Sequence, residues 1–568
     1  MFNLLLTSLL SVFLHFASGT LVLKFLNISL KKTFYFYSLT SLLGIIFLSF
    51  IALLANFFFK LDILFNTLIF LIIIIIFFIF QRNFVKNINK NLDFLYFLII
   101  CSFGVSLFLV FSNSYRPDAG LYHLPYINIL NENKIIIGAS NLHQRFGHIS
   151  ILQYLSGIHF NYFFKINGIV LPAACIATYT IFNLISNMQN IKIISVSKFF
   201  SILILIYVCF KMNRYSEYGN DAVGHFIFFV VLSLYLNFKE NINNLKKVEV
   251  FYLIYIFSIF VFLNKTFLIA SLLIPLLLIK DSFFKFLNMK TLIISIFIIM
   301  WFSKNILSSG CLIYPMPITC FNFEWTNFIY ESNILDVSVG SEAWAKDWSN
   351  QNDKILGYKD YLKNFYWIKF WIKNQFLEIL EILIPYLLMI MLLIIYLKLS
   401  DPKNKIVRNN QVLFKNYIFI LSIIFIGILI WFLKGPIYRY GYSYIISFIA
   451  LIISLLVKKY FYRYDKKKLI NLTNFLIFLA VFTLVSKQGI RISNNYNKMY
   501  YNYPWPKFYS FEKNNKKIIL EKFEENNKIL FFRPKNTYCF YSKSPCTSVG
   551  VDKNLKMKIK HGYRIYYF

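Results

Sequence analysis

Charge is scarce in this chain: Asp, Glu, Lys and Arg make up only 15% of its 568 residues, and the acids, 25 against 59 bases, are the rarer sign. Soluble globular domains carry about a quarter charged residues and about half apolar ones. A sequence that is 58% hydrophobic and 20% aromatic has too little polar surface to cover its apolar side chains in water. That excludes a soluble domain and places the chain in a bilayer. Also lacking is any arm or helix face that collects the bases. They punctuate apolar runs instead, so the net charge of +34 reads as a topology signal and excludes nucleic acid as a partner. Cysteine is sparse, 7 in all, and no Cys-x-x-Cys with a nearby His offers a zinc ligand set. Cys101, Cys175 and Cys209 fall within apolar runs. Cys311 with Cys320 and Cys539 with Cys546 form two close pairs; in an oxidising compartment each closes a disulfide, free thiols being the alternative.

Crossing the hydrocarbon core takes about 20 mostly apolar residues as a helix. Fourteen runs approach that length, at 2–23, 35–59, 63–80, 93–111, 166–186, 195–210, 222–237, 250–263, 266–279, 291–308, 377–397, 416–433, 443–457 and 469–485. The expected fold is an all-α polytopic membrane protein of about fourteen transmembrane helices. Short basic connections occur at Lys31-Lys32, Arg82/Lys86/Lys90, Lys192/Lys198, Lys239/Lys246/Lys247, Lys280/Lys285/Lys290, Lys403/Lys405/Arg408 and Lys458 to Lys468. All fall on one side if every run crosses, and that side is cytoplasmic by the positive-inside rule. The outer side then receives the N-terminus, loops near 112–165, 211–221, 309–375 and 434–442, and the tail from about 486. No basic segment precedes the first run, so it is expected to stay as a helix; cleavage as a signal peptide after Ala17-Ser18-Gly19 is the alternative. The tail, 486–568, has a charged helical stretch near 511–526 and strand-like pieces at 529–533 and 563–568, which predicts a small extracytoplasmic α/β domain.

The stretch 112–160 concentrates ionisable residues just outside a membrane helix. Four of the 7 histidines, His123, His143, His148 and His159, lie there with Arg116, Asp118, Glu132 and Arg145. A cluster of this density points to a site. Asp118 follows the fourth run by a few residues, at the outer surface where a lipid-borne head group is presented. A carboxylate there takes a proton from an attacking hydroxyl or holds a metal. If a helix opens here, Tyr122 sits one turn on from Asp118; Asp118 acting only as its cap is the bland reading. His143 and His148 are five positions apart, a poor fit to one helical face, so packing roles are favoured over metal binding.

The segment Asp118-Ala-Gly-Leu-Tyr122-His123-Leu-Pro125 resembles the first outer loop of the GT-C superfamily of membrane glycosyltransferases, especially bacterial relatives of the protein mannosyltransferases and aminoarabinose transferases. Three further landmarks follow in order: Glu217-Tyr-Gly-Asn220-Asp221, Asn264-Lys265-Thr266, and Lys304-Asn305 followed by Ser309-Gly310-Cys311-Leu-Ile-Tyr314-Pro315. The resemblance implies a seven-helix catalytic module over 93–308, and the three N-terminal helices over 1–92 ahead of it depart from the superfamily's common arrangement. A large outer loop over 309–376, four more helices over 377–485 and the tail 486–568 complete the chain. It further implies transfer of a sugar from a polyprenyl-phosphate-linked donor to a glycan, lipid or protein acceptor, on the outer face of the bacterial cytoplasmic membrane, with membrane lipids as its surroundings. Asp118 and Asp221 are its candidate catalytic acids. Arg116, Tyr122, His123, Arg145, Glu217, Lys265, Asn305 and Tyr314 are candidate substrate contacts, with Arg214 and Arg439 as further cations. The superfamily often pairs acids in this loop, whereas Asp118 stands alone; no cofactor is assigned and a divalent metal stays open. Trp325, Trp344, Trp348 and Trp367, among Asp336, Glu342, Asp347 and Asp353, suit sugar recognition or an interfacial helix equally. The rival readings are a polysaccharide polymerase or ligase, and a non-enzymatic transporter or flippase, although no inverted repeat of the transporter kind is evident.

Overall fold

A computed structural model describes residues 2–29, 33–82, 92–110, 117–188, 194–212, 214–216, 218–242, 245–279, 286–330, 332–350, 356–400, 414–461, 464–496, 505, 512–513, 516–525 and 528–568. Arg116, Glu217 and Asp353 lie outside the described residues, as do the basic connections at Lys31-Lys32, Lys86/Lys90, Lys192, Lys280/Lys285 and Lys403/Lys405/Arg408.

Each of the fourteen apolar runs coincides with an apolar helix. Eleven of these helices are long and apolar enough to cross a membrane, which makes the chain a multi-pass membrane protein. Val196–Phe210, Thr266–Ile279 and Ile418–Lys434 are shorter. At a rise of about 1.5 Å per residue the first of them spans only about 22 Å, less than a hydrocarbon core of about 30 Å. The helices sort into an inner bundle and a periphery. Phe34–Phe58, Lys165–Met188, Asp221–Lys239 and Lys247–Asn264 are mostly buried, whereas Ile63–Phe80, Met289–Ser309, Ile368–Ser400 and Lys466–Asn494 turn most of their surface outward. The outward faces carry Leu64, Ile72, Leu392 and Phe482, each more than half exposed, a covering that suits lipid and not water. Between the inner helices, where burial of apolar surface gives no advantage over lipid, polar side chains make the specific contacts. Asn187 donates to Ser197, Ser201 and Ser233, and Asn237 donates back to Asn187.

The connections gather at two opposite ends. At one end Glu240 accepts from the backbone of Val196 and Ser197 and pairs with Lys458 at 2.6 Å, and Lys290 donates to the carbonyl of Leu26; this is the end that the basic connections mark. At the other end lie 59–62, 117–165, the loop from Gly310 onward and the tail. Both expected disulfides, Cys311–Cys320 and Cys539–Cys546, are formed there.

The described part of the tail corrects two expectations. The stretch expected to be helical over 511–526 holds the strand Leu520–Glu525, paired antiparallel with Lys528–Pro534. Its Glu- and Lys-rich sequence favours a helix locally, but Phe523 stacks on Phe531 at 4.7 Å and Glu521 faces Arg533, and cross-strand pairs of this kind outweigh a weak helical preference. With Lys556–Lys560 and Tyr563–Tyr567 forming a second hairpin, the described tail beyond the Lys466–Tyr496 helix is made of β-hairpins and not an α/β domain.

Candidate functional site

At the end opposite the basic connections a cavity of about 200 Å³ opens between the 117–165 loop, the turn before Asp221 and the loop after Ser309. Its floor is set by a close meeting of two helices. Asn220 donates to the carbonyl of Asn264 at 2.8 Å, and Asn264 donates back to the carbonyl of Asn220 at 3.0 Å. The start of Asp221–Lys239 is thus stapled to the end of Lys247–Asn264. Gly224 permits the approach, since a methyl group built there would lie 2.8 Å from the Asn264 amide nitrogen.

That staple puts Asp221 among cations. Its carboxylate bonds Lys265 Nζ at 2.7 Å and Arg214 Nη1 at 2.7 Å, with Arg439 Nη1 at 3.8 Å. Lys265 also donates to the carbonyl of Arg439 at 2.9 Å and lies 4.4 Å from the Tyr440 ring centre. Lys265 is therefore already bound to an acid, a carbonyl and a ring; burial holds its pKa below the usual lysine range even with Asp221 beside it. Three cations share one carboxylate, so this wall is net positive.

The facing elements come from the 117–165 loop. Residues Ala119–His123 form a π-helical turn, a local widening often found at functional sites, and Leu124–Glu132 continues from it as an α-helix. Asp118 precedes the turn and makes no side-chain cap bond, so the capping role does not account for it. Among the described residues its carboxylate has neither a hydrogen bond nor an ion pair. Tyr122 is half-buried, and burial, with Asp118 beside it, pushes its phenol far above the usual range. Arg145 lies 6.0 Å from the Tyr122 ring centre and, among the described residues, is in no ion pair. Gln153 Nε2 donates to His123 Nδ1 at 3.0 Å; burial pulls His123 down to about 4. His148 packs edge-on to Tyr314 at 5.2 Å and is pulled down to about 3, first by burial and then by Arg145. Asn305 donates to the carbonyl of Leu312 and so fixes the loop that brings Tyr314 to the cavity.

Asp118, Tyr122, His123, Arg145, Asp221, Lys265, Asn305 and Tyr314 all line this one cavity. Arg116 and Glu217 lie outside the described residues. Of the four loop histidines, His123 and His148 line it; His143 does not and accepts from the backbone of Arg145. His159 is elsewhere, 2.9 Å from His15 among the inner helices, because the chain has re-entered the bundle by then. Among the described residues no three His, Cys, Asp or Glu side chains gather to hold a metal ion. Trp325, Trp344, Trp348 and Trp367 do not line the cavity. Trp325 donates to Ile306, Trp344 lies over Arg439, and Glu342 is paired with Lys346 and Lys434. Gln153 and Tyr440 are cavity residues that sequence reading missed. Neither belongs to a charged cluster, and the one local signal for Gln153 was its place three residues after Ser150 at a helix start, where it completes a capping box.

No curated protein and no solved structure matches the chain. A family model does, over residues 1–446, a span that takes in every cavity residue and leaves out the hairpins of the tail. On that match the chain belongs to the family described as domain of unknown function DUF8201.

Proposed function

We propose that this chain is a GT-C-type glycosyltransferase that moves a sugar from a polyprenyl-phosphate-linked donor to an acceptor on the outer face of the bacterial cytoplasmic membrane. The observation that carries the reading is the division of the cavity: a carboxylate unpaired among the described residues, Asp118, shares about 200 Å³ with a net-positive wall of Arg214, Lys265 and Arg439 around Asp221. In this reading all fourteen apolar helices cross, and the cavity and tail are extracytoplasmic. The acceptor oxygen attacks the anomeric carbon as its proton passes to Asp118. The bond from that carbon to the phosphate oxygen breaks, and the electron pair leaves with the lipid phosphate. Arg145 and the net-positive wall hold the departing charge, guanidinium being the better bidentate partner for phosphate. Tyr122 and Tyr314 supply aromatic surface for the sugar ring. Asp221, surrounded by cations, positions them and does not act as base.

The test is transfer of labelled sugar from synthetic polyprenyl-phosphate donors by the purified protein in lipid nanodiscs, with glycan profiling of a deletion strain to find the acceptor. Loss of transfer in Asp118→Asn with unchanged abundance supports the reading. Full transfer in that variant, or labelling that places residue 118 on the cytoplasmic side, ends it.

A further inference from the structure

Each disulfide encloses an aromatic ring that rests on a glycine of the first outer loop. Within Cys311–Cys320, Tyr314 lies against Gly147, where an added methyl group would sit 2.5 Å from a ring carbon. Within Cys539–Cys546, Phe540 lies against Gly120, where an added methyl group would also sit 2.5 Å from a ring carbon. Gly147 belongs to the turn Gln144–His148 and Gly120 to the π-helical turn beside Asp118, so the two rings press on two different stretches of cavity wall.

Backbone and side-chain bonds reinforce each contact. Phe540 holds a left-handed φ of 49°, a region that bulky residues rarely enter, while its N–H donates to the carbonyl of Gly120 at 3.0 Å. The rest of that loop follows the Leu124–Glu132 helix: Asn128 donates to the carbonyl of Ser542, the Tyr541 hydroxyl donates to Asn131 at 3.2 Å, and the N–H of Ser544 donates to Glu132 at 3.1 Å. On the other side Asn305 donates to Leu312 at 2.7 Å, inside the first disulfide loop.

We propose that the two disulfide loops are independent latches, the Tyr314 loop holding the Gln144–His148 turn and the Phe540 loop holding the turn that carries Asp118, so that the shape of the cavity depends on both disulfides being closed. Phe540 is then a positioning residue that touches no substrate. The inference concerns the resting protein and stands apart from which substrate the cavity takes.

Hydrogen exchange on the full chain in nanodiscs, with no donor or acceptor present, tests it. Replacing Cys539 and Cys546 by Ser should speed exchange over 119–132 by about tenfold or more and leave 144–158 unchanged, as expected for local opening. Replacing Cys311 and Cys320 by Ser should do the reverse. Phe540→Ala should match the first pair and Phe540→Tyr, which keeps the ring, should not. Reducing the folded wild-type protein should loosen both segments without any dependence on refolding. Unchanged exchange in a segment whose own disulfide is removed, or both segments loosening in either pair variant, would overturn the proposal. Because no sugar or lipid phosphate enters the experiment, its failure is distinct from failure of the transfer assay.

Discussion

Two aspartates line one cavity and are held in opposite ways. Asp221 has Arg214, Lys265 and Arg439 within 4 Å, and with its side chain only 17% exposed it is tied into the structure. Asp118 has no partner among the described residues and is left for whatever enters. The difference teaches that a carboxylate in a cleft is not by its presence a base: its neighbours decide whether its charge is already committed. Removing a committed charge disturbs the fold, whereas removing an uncommitted one disturbs only the chemistry.

The largest effect that tests this contrast is on the Asp118 side. Asp118→Asn should lower the rate of transfer by about 10²–10⁴-fold, the range for loss of a general base, with little change in thermal unfolding; a collapse of stability would erase the distinction between the two acids. Asp221→Asn should do the opposite first, costing about 3–5 kcal/mol of stability because it leaves the buried Lys265 without its counter-charge. Denaturant unfolding in mixed micelles measures this, and a variant as stable as wild type would show that the carboxylate is not structural.

Acid sharpens the comparison, because a buried cavity histidine, His123, flanks the Asp118 side. His123 is pulled down to about 4 in the folded protein, against about 6.5 in an unfolded chain. Between those values the unfolded chain takes up a proton and the folded one does not. Stability is therefore intact above about pH 6.5 and falls toward pH 4, by about 1.4 kcal/mol per pH unit for such a group. Thermal unfolding at pH 7.5 and 5.5 should show the loss, and His123→Asn should flatten it; equal slopes in both proteins would remove His123 as a cause. The smallest effect expected is that of Arg145→Gln, which should raise KM for the donor about tenfold with stability unchanged, since among the described residues its guanidinium is in no ion pair that folding relies on. A fall in kcat with KM constant would move Arg145 from donor binding to the reacting centre.

Much of this was legible in the sequence for a simple reason: a bilayer forces long apolar runs, and each run became a helix. Asp118 could be singled out because charge at the rim of an apolar run is conspicuous, whereas Tyr314 was picked out by the resemblance of its segment to the GT-C pattern. What stayed hidden depends on distant partners. The commitment of Asp221 needs Arg439, more than two hundred positions on, and no local pattern announces that pairing. Gln153 and Tyr440 enter the cavity through the fold alone. The stretch 511–526 reads as a helix until the strand Lys528–Pro534 supplies Phe531 for Phe523 to stack upon. His159 sits in the densest histidine region of the chain yet pairs with His15, because sequence proximity to a loop does not fix which side of the helix boundary a residue occupies.

The bond from Asn128 to Ser542 joins residues 414 positions apart, and this separation imposes an order on biosynthesis. The ribosome delivers the 117–165 loop early, and many helices must be threaded through the translocation machinery before the segment that grips it exists. Until then that loop waits ungripped, so a nascent chain stalled after its last helix would be inserted yet unfinished.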